Sequence, residues 1–128
     1  MAFALVGSIS AGSITNDNVT TAGLDTTGAT LLVAAVASGN GTRTLADSLT
    51  NTWIALTRRT QSASGDSIQL FYARPTTAQV GVGQTFTVTS TAQFPAVAVA
   101  AYSGRISSAL QSDADVGNAN TGSYTAVG

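Results

Sequence analysis

Six aspartates (Asp17, Asp25, Asp47, Asp66, Asp113, Asp115) and five arginines (Arg43, Arg58, Arg59, Arg74, Arg105) carry the side-chain charge of this 128-residue chain, which contains no His, Cys, Lys or Glu. That inventory bounds its chemistry. General acid–base catalysis draws first on His, then on Glu, Asp, Lys, Tyr and Cys, and four of those six are missing. A Ser–His–Asp or Cys–His constellation cannot be built from one such chain. Two flanking carboxylates can hydrolyse a glycoside, and the only close acidic pair is Asp113 and Asp115, in a Gly/Asn-rich stretch where Asp also serves turn geometry. No catalytic residue is assigned. Gly81-Val82-Gly83 lacks the third glycine and the following helix of a dinucleotide loop, so no cofactor is expected.

Metal chemistry is confined in the same way. Zinc needs thiolate or imidazole ligands that are absent here. Asp113, Asp115, Asn118 and Asn120 place oxygen ligands at short spacing and are the calcium candidates. They lack a Glu for a bidentate closing ligand, and a polar surface loop is the competing reading. Asp47 with Asn51 is a similar case, read as a turn. Asn18-Val19-Thr20 and Asn40-Gly41-Thr42 match the glycosylation pattern, which arises readily in a Thr-rich chain. The net charge of −1 and the scattered arginines offer no basic field for nucleic acid.

The elements that position these residues are strands. Charged residues are 9% of the chain, against roughly 25% in an average soluble protein. The helix-surface residues Glu and Lys are absent while Thr and Val abound. Ala2–Ser10 reads as a first strand, Ser13–Thr21 as a polar strand or extended loop, and Ala29–Ser38 as a central strand covered on both faces. Thr42–Leu45 reads as a short strand before a turn at Asp47-Ser48, and Thr52–Arg59 as the next strand. After a hairpin turn at Ser64-Gly65-Asp66, Ser67–Arg74 sets Ile68, Leu70 and Tyr72 on one face and Gln69, Phe71 and Ala73 on the other. In Gln84–Ser90, Phe86, Val88 and Ser90 point inward while Thr85, Thr87 and Thr89 point outward. Ala96–Ser103 is an apolar strand stopped by Gly104. Arg105–Gly122 reads as a polar loop, and Ser123–Val127 as the start of a further strand. Trp53, Phe71, Tyr72, Phe86 and Tyr102 are expected in the core. Strands recurring every 10–15 residues between turn signals predict an all-β fold, an antiparallel β-sandwich of jelly-roll or immunoglobulin-like type. It is expected to be a single domain over residues 1–128, its last strand completed by further residues or by a neighbouring chain.

Three segments also carry a resemblance: Thr26–Val36; Asp47-Ser48-Leu49-Thr50-Asn51-Thr52-Trp53; and the run from Leu70-Phe71-Tyr72-Ala73 through Phe86–Thr89 to Val97–Gly104. Their order resembles a β-sandwich module of phage structural proteins and bacterial secreted or surface proteins. The resemblance implies a structural or adhesive role and no catalytic residues.

Surface chemistry points the same way. Sheet edges are commonly guarded by Lys, Pro or inward charges, yet this chain has no Lys and only Pro75 and Pro95. Near-zero net charge favours association. The expectation is a structural subunit of a virion, as capsid decoration or fibre, or of another extracellular assembly. Its partners would be copies of itself or capsid and tail proteins, with Phe3, Leu5 and Val6 as the assembly residues and no nucleic acid or membrane. The alternative is a glycan-binding or adhesive module. The N-terminal apolar stretch lacks the positive region of a secretory signal, which favours release by lysis within this expectation.

Overall fold

The computed structural model describes residues 3–14, 18–61 and 63–104. Among the described residues nine strands follow one another: β1 (Ala4–Gly12), β2 (Asn18–Thr20), β3 (Leu31–Ser38), β4 (Arg43–Asp47), β5 (Ile54–Ala55), β6 (Arg59–Thr60), β7 (Ser67–Ala73), β8 (Phe86–Ser90) and β9 (Ala96–Ser103). They form two antiparallel sheets packed face to face, a β-sandwich. The large sheet runs β1-β9-β3-β7-β5, with β6 also on β7, and the small sheet runs β2-β8-β4. The first strand pairs with the last, the second with the eighth and the third with the seventh. The chain is thus a long hairpin wound into two layers. The strands β5 and β6, between the two arms of that hairpin, lie on the large sheet.

The core follows from alternation. Phe86, Val88 and Ser90 of β8 are buried, as their spacing predicts, and so are Phe71 and Ala73 of β7. They meet Leu32, Ala34 and Val36 of β3 and Val97, Val99 and Ala101 of β9 between the layers. Trp53 lies half-buried against this core, its ring edge-on to Phe86 with centroids 6.1 Å apart. Gly28 enters β3 through a turn closed by Ala29 N donating to Thr26 O at 2.9 Å, and its φ of +80° is one that glycine adopts without strain.

Two expectations change. The strand expected over Thr52–Arg59 is divided, because Gln69 Nε2 donates to Leu56 O at 2.8 Å and a side chain takes a place in the ladder. β3 is central, but the described residues cover only one of its faces. Leu32, Ala34, Val36 and Ser38 are buried, whereas Leu31, Val33 and Ala35 are half-buried and Ala37 is exposed. An unbroken apolar run does not distinguish two covered faces from one covered and one bare apolar face.

β4 fastens the layers. Its inward positions are Arg43, Leu45 and Asp47, with Arg43 and Leu45 buried and Asp47 half-buried. At one end the Arg43 guanidinium donates to Val36 O and Ser67 O, each at 3.2 Å, to Gly39 O at 3.3 Å, and to Ser67 Oγ. Burial, and then the neighbouring Arg58, lower its pKa from the ordinary arginine value. At the other end Asp47 accepts from Leu49 N (2.9 Å), Asn51 N (3.2 Å), Asn51 Nδ2 (3.1 Å), Trp53 Nε1 (2.7 Å) and Gln84 Nε2 (2.9 Å). The network continues inward. Thr26 Oγ1 donates to Gln84 Oε1 at 2.5 Å, and both residues are fully buried.

Replacing Asp47 with Asn keeps the shape but turns an NH2 toward donors that need an acceptor. Asp47→Asn is therefore expected to lose about 3 kcal/mol, nearly as much as Asp47→Ala, in urea unfolding. Arg43→Met retains the stem but removes a charged donor from Val36 O, Ser67 O and Gly39 O, of which Gly39 O keeps Gly41 N at 2.9 Å. It is expected to cost about 2 kcal/mol or more in the same measurement, with Arg43→Lys intermediate.

Candidate interaction surface

A sandwich has two outer faces, and this chain treats them differently. On the small sheet the register sets Asn18, Thr89 and Thr44 in one row across β2, β8 and β4, and Thr20, Thr87 and Ala46 in the next. The hydroxyls of Thr20 and Thr87 hydrogen-bond at 2.9 Å. This is a β-forming surface that water can solvate.

The large sheet presents the opposite chemistry. Its outward positions fall in four rows across the strands. Leu5, Tyr102 and Leu31 form the first row, and Ser8, Ala100, Val33, Tyr72 and Ile54 the second. Ser10, Ala98, Ala35 and Leu70 form the third, and Gly12, Ala96, Ala37, Ile68 and Arg59 the fourth. Among the described residues, the one charged side chain in these rows is Arg59, at a corner. Leu5 (59% exposed), Ile54 (46%), Ile68 (48%) and Leu70 (43%) are large apolar groups left in water. Contiguous apolar patches beyond a few hundred Å2 mark interaction surfaces.

The face is stepped. Ile54, Ile68, Leu70 and Tyr72 form a ridge along β5 and β7. Small side chains on β1 and β9, with Val33 and Ala35 of β3, form a trough of about 490 Å3 floored by Ser8, Ser10, Ala98 and Ala100. At its end Phe3 stacks on Tyr102, centroids 4.9 Å apart and planes 14° from parallel.

Of the three assembly candidates, Leu5 and Phe3 stand on this face, both more than half exposed. Val6 does not stand with them. Alternation along β1 puts Val6 on the face opposite Leu5, packed against the core, and the bulge between Leu5 and Gly7 then returns Ser8 to the outer face. Tyr72 and Tyr102, expected in the core, are half-buried on the outer face, whereas Phe71 and Phe86 are buried as expected. The calcium candidates Asp113, Asp115, Asn118 and Asn120 lie outside the described residues, as do the loop from Arg105 and the strand expected at Ser123–Val127. Among the described residues no group of three or more His, Cys, Asp or Glu is gathered where it could hold a metal ion. The carboxylate of Asp47 is taken up by five N–H donors, two of them from Asn51, that hold its turn and the sheet end.

Sequence reasoning missed the apolar face as a whole. Its signal was present: the outward partners of β7, Ile68, Leu70 and Tyr72, are as apolar as the inward ones, whereas on β8 the outward partners are threonines. Comparison with protein-family models, with curated proteins and with solved structures finds no match.

The exposed ridge contributes little to the monomer's own core. Leu70→Thr and Ile54→Thr are expected to change unfolding free energy by no more than about 0.5 kcal/mol each in dilute protein, because β-branched Thr suits the same strands. Thermal unfolding followed by circular dichroism checks this. Phe71→Ala on the opposite face of β7 is expected to cost about 3 kcal/mol or more.

Proposed function

We propose that this chain is a non-enzymatic structural subunit of a larger protein assembly, a virion component such as a capsid decoration or fibre protein being the first reading and another extracellular assembly the second. The supporting observation is the contrast between the two outer faces. A monomer exposed on all sides would be served by threonines on both, as it is on the small sheet. An apolar, nearly uncharged face on the large sheet favours contact with protein. The β1 edge adds to this. It is nine residues long and carries neither Lys nor Pro, the common guards of a free edge.

The catalytic inventory agrees with the reading. The residue types that most often move protons or attack substrates are missing from the sequence, and the structure commits the Asp47 carboxylate to backbone and side-chain donors. Glycan adhesion is the alternative, favoured by the Phe3, Tyr72 and Tyr102 rings on one face. It would need polar groups placed to orient sugar hydroxyls, and the two rows that carry Tyr102 and Tyr72 otherwise hold Leu5, Leu31, Ser8, Ala100, Val33 and Ile54.

Light scattering of the purified chain over a wide concentration range, with electron microscopy of the same samples, tests the proposal. Defined oligomers, or ordered decoration of a lattice, are the expected result. A monomer that binds no protein lattice but binds an oligosaccharide through Tyr72 and Tyr102 would overturn it in favour of adhesion.

A further inference from the structure

We infer that the outer face of the large sheet is a face-to-face interface between two copies of this chain, related by a two-fold axis running along β3. The inference deepens the structural reading above and rests on it.

Three features select a second copy as the occupant. The first is shape. With strand order β1-β9-β3-β7-β5, the ridge lies on one side of β3 and the trough on the other. Rotation about an axis parallel to β3 exchanges the sides, so the ridge of each copy enters the trough of its partner. Leu70 and Ala98 occupy the same row, each one strand from β3. The rotation sets Leu70 of one copy over Ala98 of the other, and the reverse, while Ala35 stands near the axis. A two-fold axis across the strands would instead set ridge on ridge. The parallel axis also gives aligned sheet packing, the arrangement that two twisted sheets prefer.

The second feature is charge. An isologous interface brings each group close to its own symmetry mate or to another group of the same face, so like charges on it would repel. Arg59, the one charge in the described rows, stands at the corner, and the polar groups within are the hydroxyls of Ser8, Ser10, Tyr72 and Tyr102, each able to donate or accept. The third is area. Strands about 4.8 Å apart and a rise of about 3.3 Å per residue give a face of roughly 550 Å2. Two copies would therefore bury on the order of 1,100 Å2, near the lower bound of specific interfaces. The expected product is a reversible dimer, populated at the high local concentration of an assembly.

Sedimentation velocity on the full chain tests the inference. The wild type is expected to dimerise reversibly. Ala35→Asp, which sets two carboxylates near the axis, should weaken the dimer at least a hundredfold, and Thr44→Asp on the small sheet should leave it intact, with unchanged circular dichroism for both. The pairing is tested by Ala98→Asp and Leu70→Arg. Each alone should be monomeric, and an equimolar mixture should regain association through the complementary pair.

A dimer insensitive to Ala35→Asp, Ala98→Asp and Leu70→Arg would overturn this interface while leaving the structural proposal standing through another contact. A strict monomer would overturn it as well. Because the chain has no cysteine, Ala98→Cys then reads the occupant: a freely labelled thiol indicates a face awaiting a different protein, and a protected thiol indicates that this chain's own remaining residues cover it.

Discussion

The two layers of this sandwich are held in register by one five-residue strand whose inward face carries a cation at one end and an anion at the other. Between Arg43 and Asp47 stands Leu45, and the three side chains span the interior from one rim to the other. Arg43 reaches across to carbonyls at the end of β3 and the start of β7. Asp47 collects donors from the chain that leaves β4 and from Gln84 just before β8. A small sheet of three strands has little area with which to grip a larger one. Hydrogen bonds to charged groups are stronger than neutral ones, and setting them at both ends of β4 resists rotation of one layer over the other. The strain accepted nearby fits that role. Thr50, a β-branched residue, is held at φ +59° inside the turn that Asp47 organises.

Much of this architecture was legible in the chain, and the boundary of legibility is physical. Alternation on β8 set Phe86 and Val88 against Thr87 and Thr89, and composition alone fixed which side was wet. The same alternation located Phe71 in the core. The pins at the ends of β4 were not legible. Asp47 is an ordinary turn residue in sequence, and its role depends on Gln84, 37 residues away, and on Trp53 closing over it. Arg43 was unremarked because a buried guanidinium that faces carbonyls leaves no partner pattern along the chain. Val6 stands opposite Leu5 by the two-residue period of a strand, whereas the bulge after Leu5, which sets Ser8 rather than Gly7 on the outer face, leaves no mark in the sequence.

The reading of β3 as covered on both faces has a different origin. Its residues are apolar at outward and inward positions alike, which is the pattern of a strand between two layers. The described residues supply only one layer, so the local pattern and this part of the chain disagree. The disagreement extends from β3 to its neighbours: β9 offers Ala96, Ala98 and Ala100 outward, and β7 offers Ile68, Leu70 and Tyr72. Agreement across levels is what sequences that fold to one structure display. A second apolar layer over the large sheet would restore it, and the local pattern then describes the assembled state.

How such a face avoids indefinite association is a question of symmetry. A heterologous contact between an apolar ridge and a trough elsewhere on the molecule would propagate from copy to copy. Here the ridge and the trough share one sheet, on opposite sides of β3, so a single two-fold operation satisfies both and leaves neither to recruit a third copy. The closed pair would then present Thr-rich small sheets on both outer surfaces, where threonine hydroxyls compete for water rather than for apolar partners. Among the described residues β1 is an edge of the large sheet, and growth beyond the pair would depend on main-chain pairing at such edges rather than on burial of apolar surface. Face and edge would thus separate two kinds of contact in one small fold: burial would set the pair, and hydrogen-bonded strand edges whatever the pair is built into.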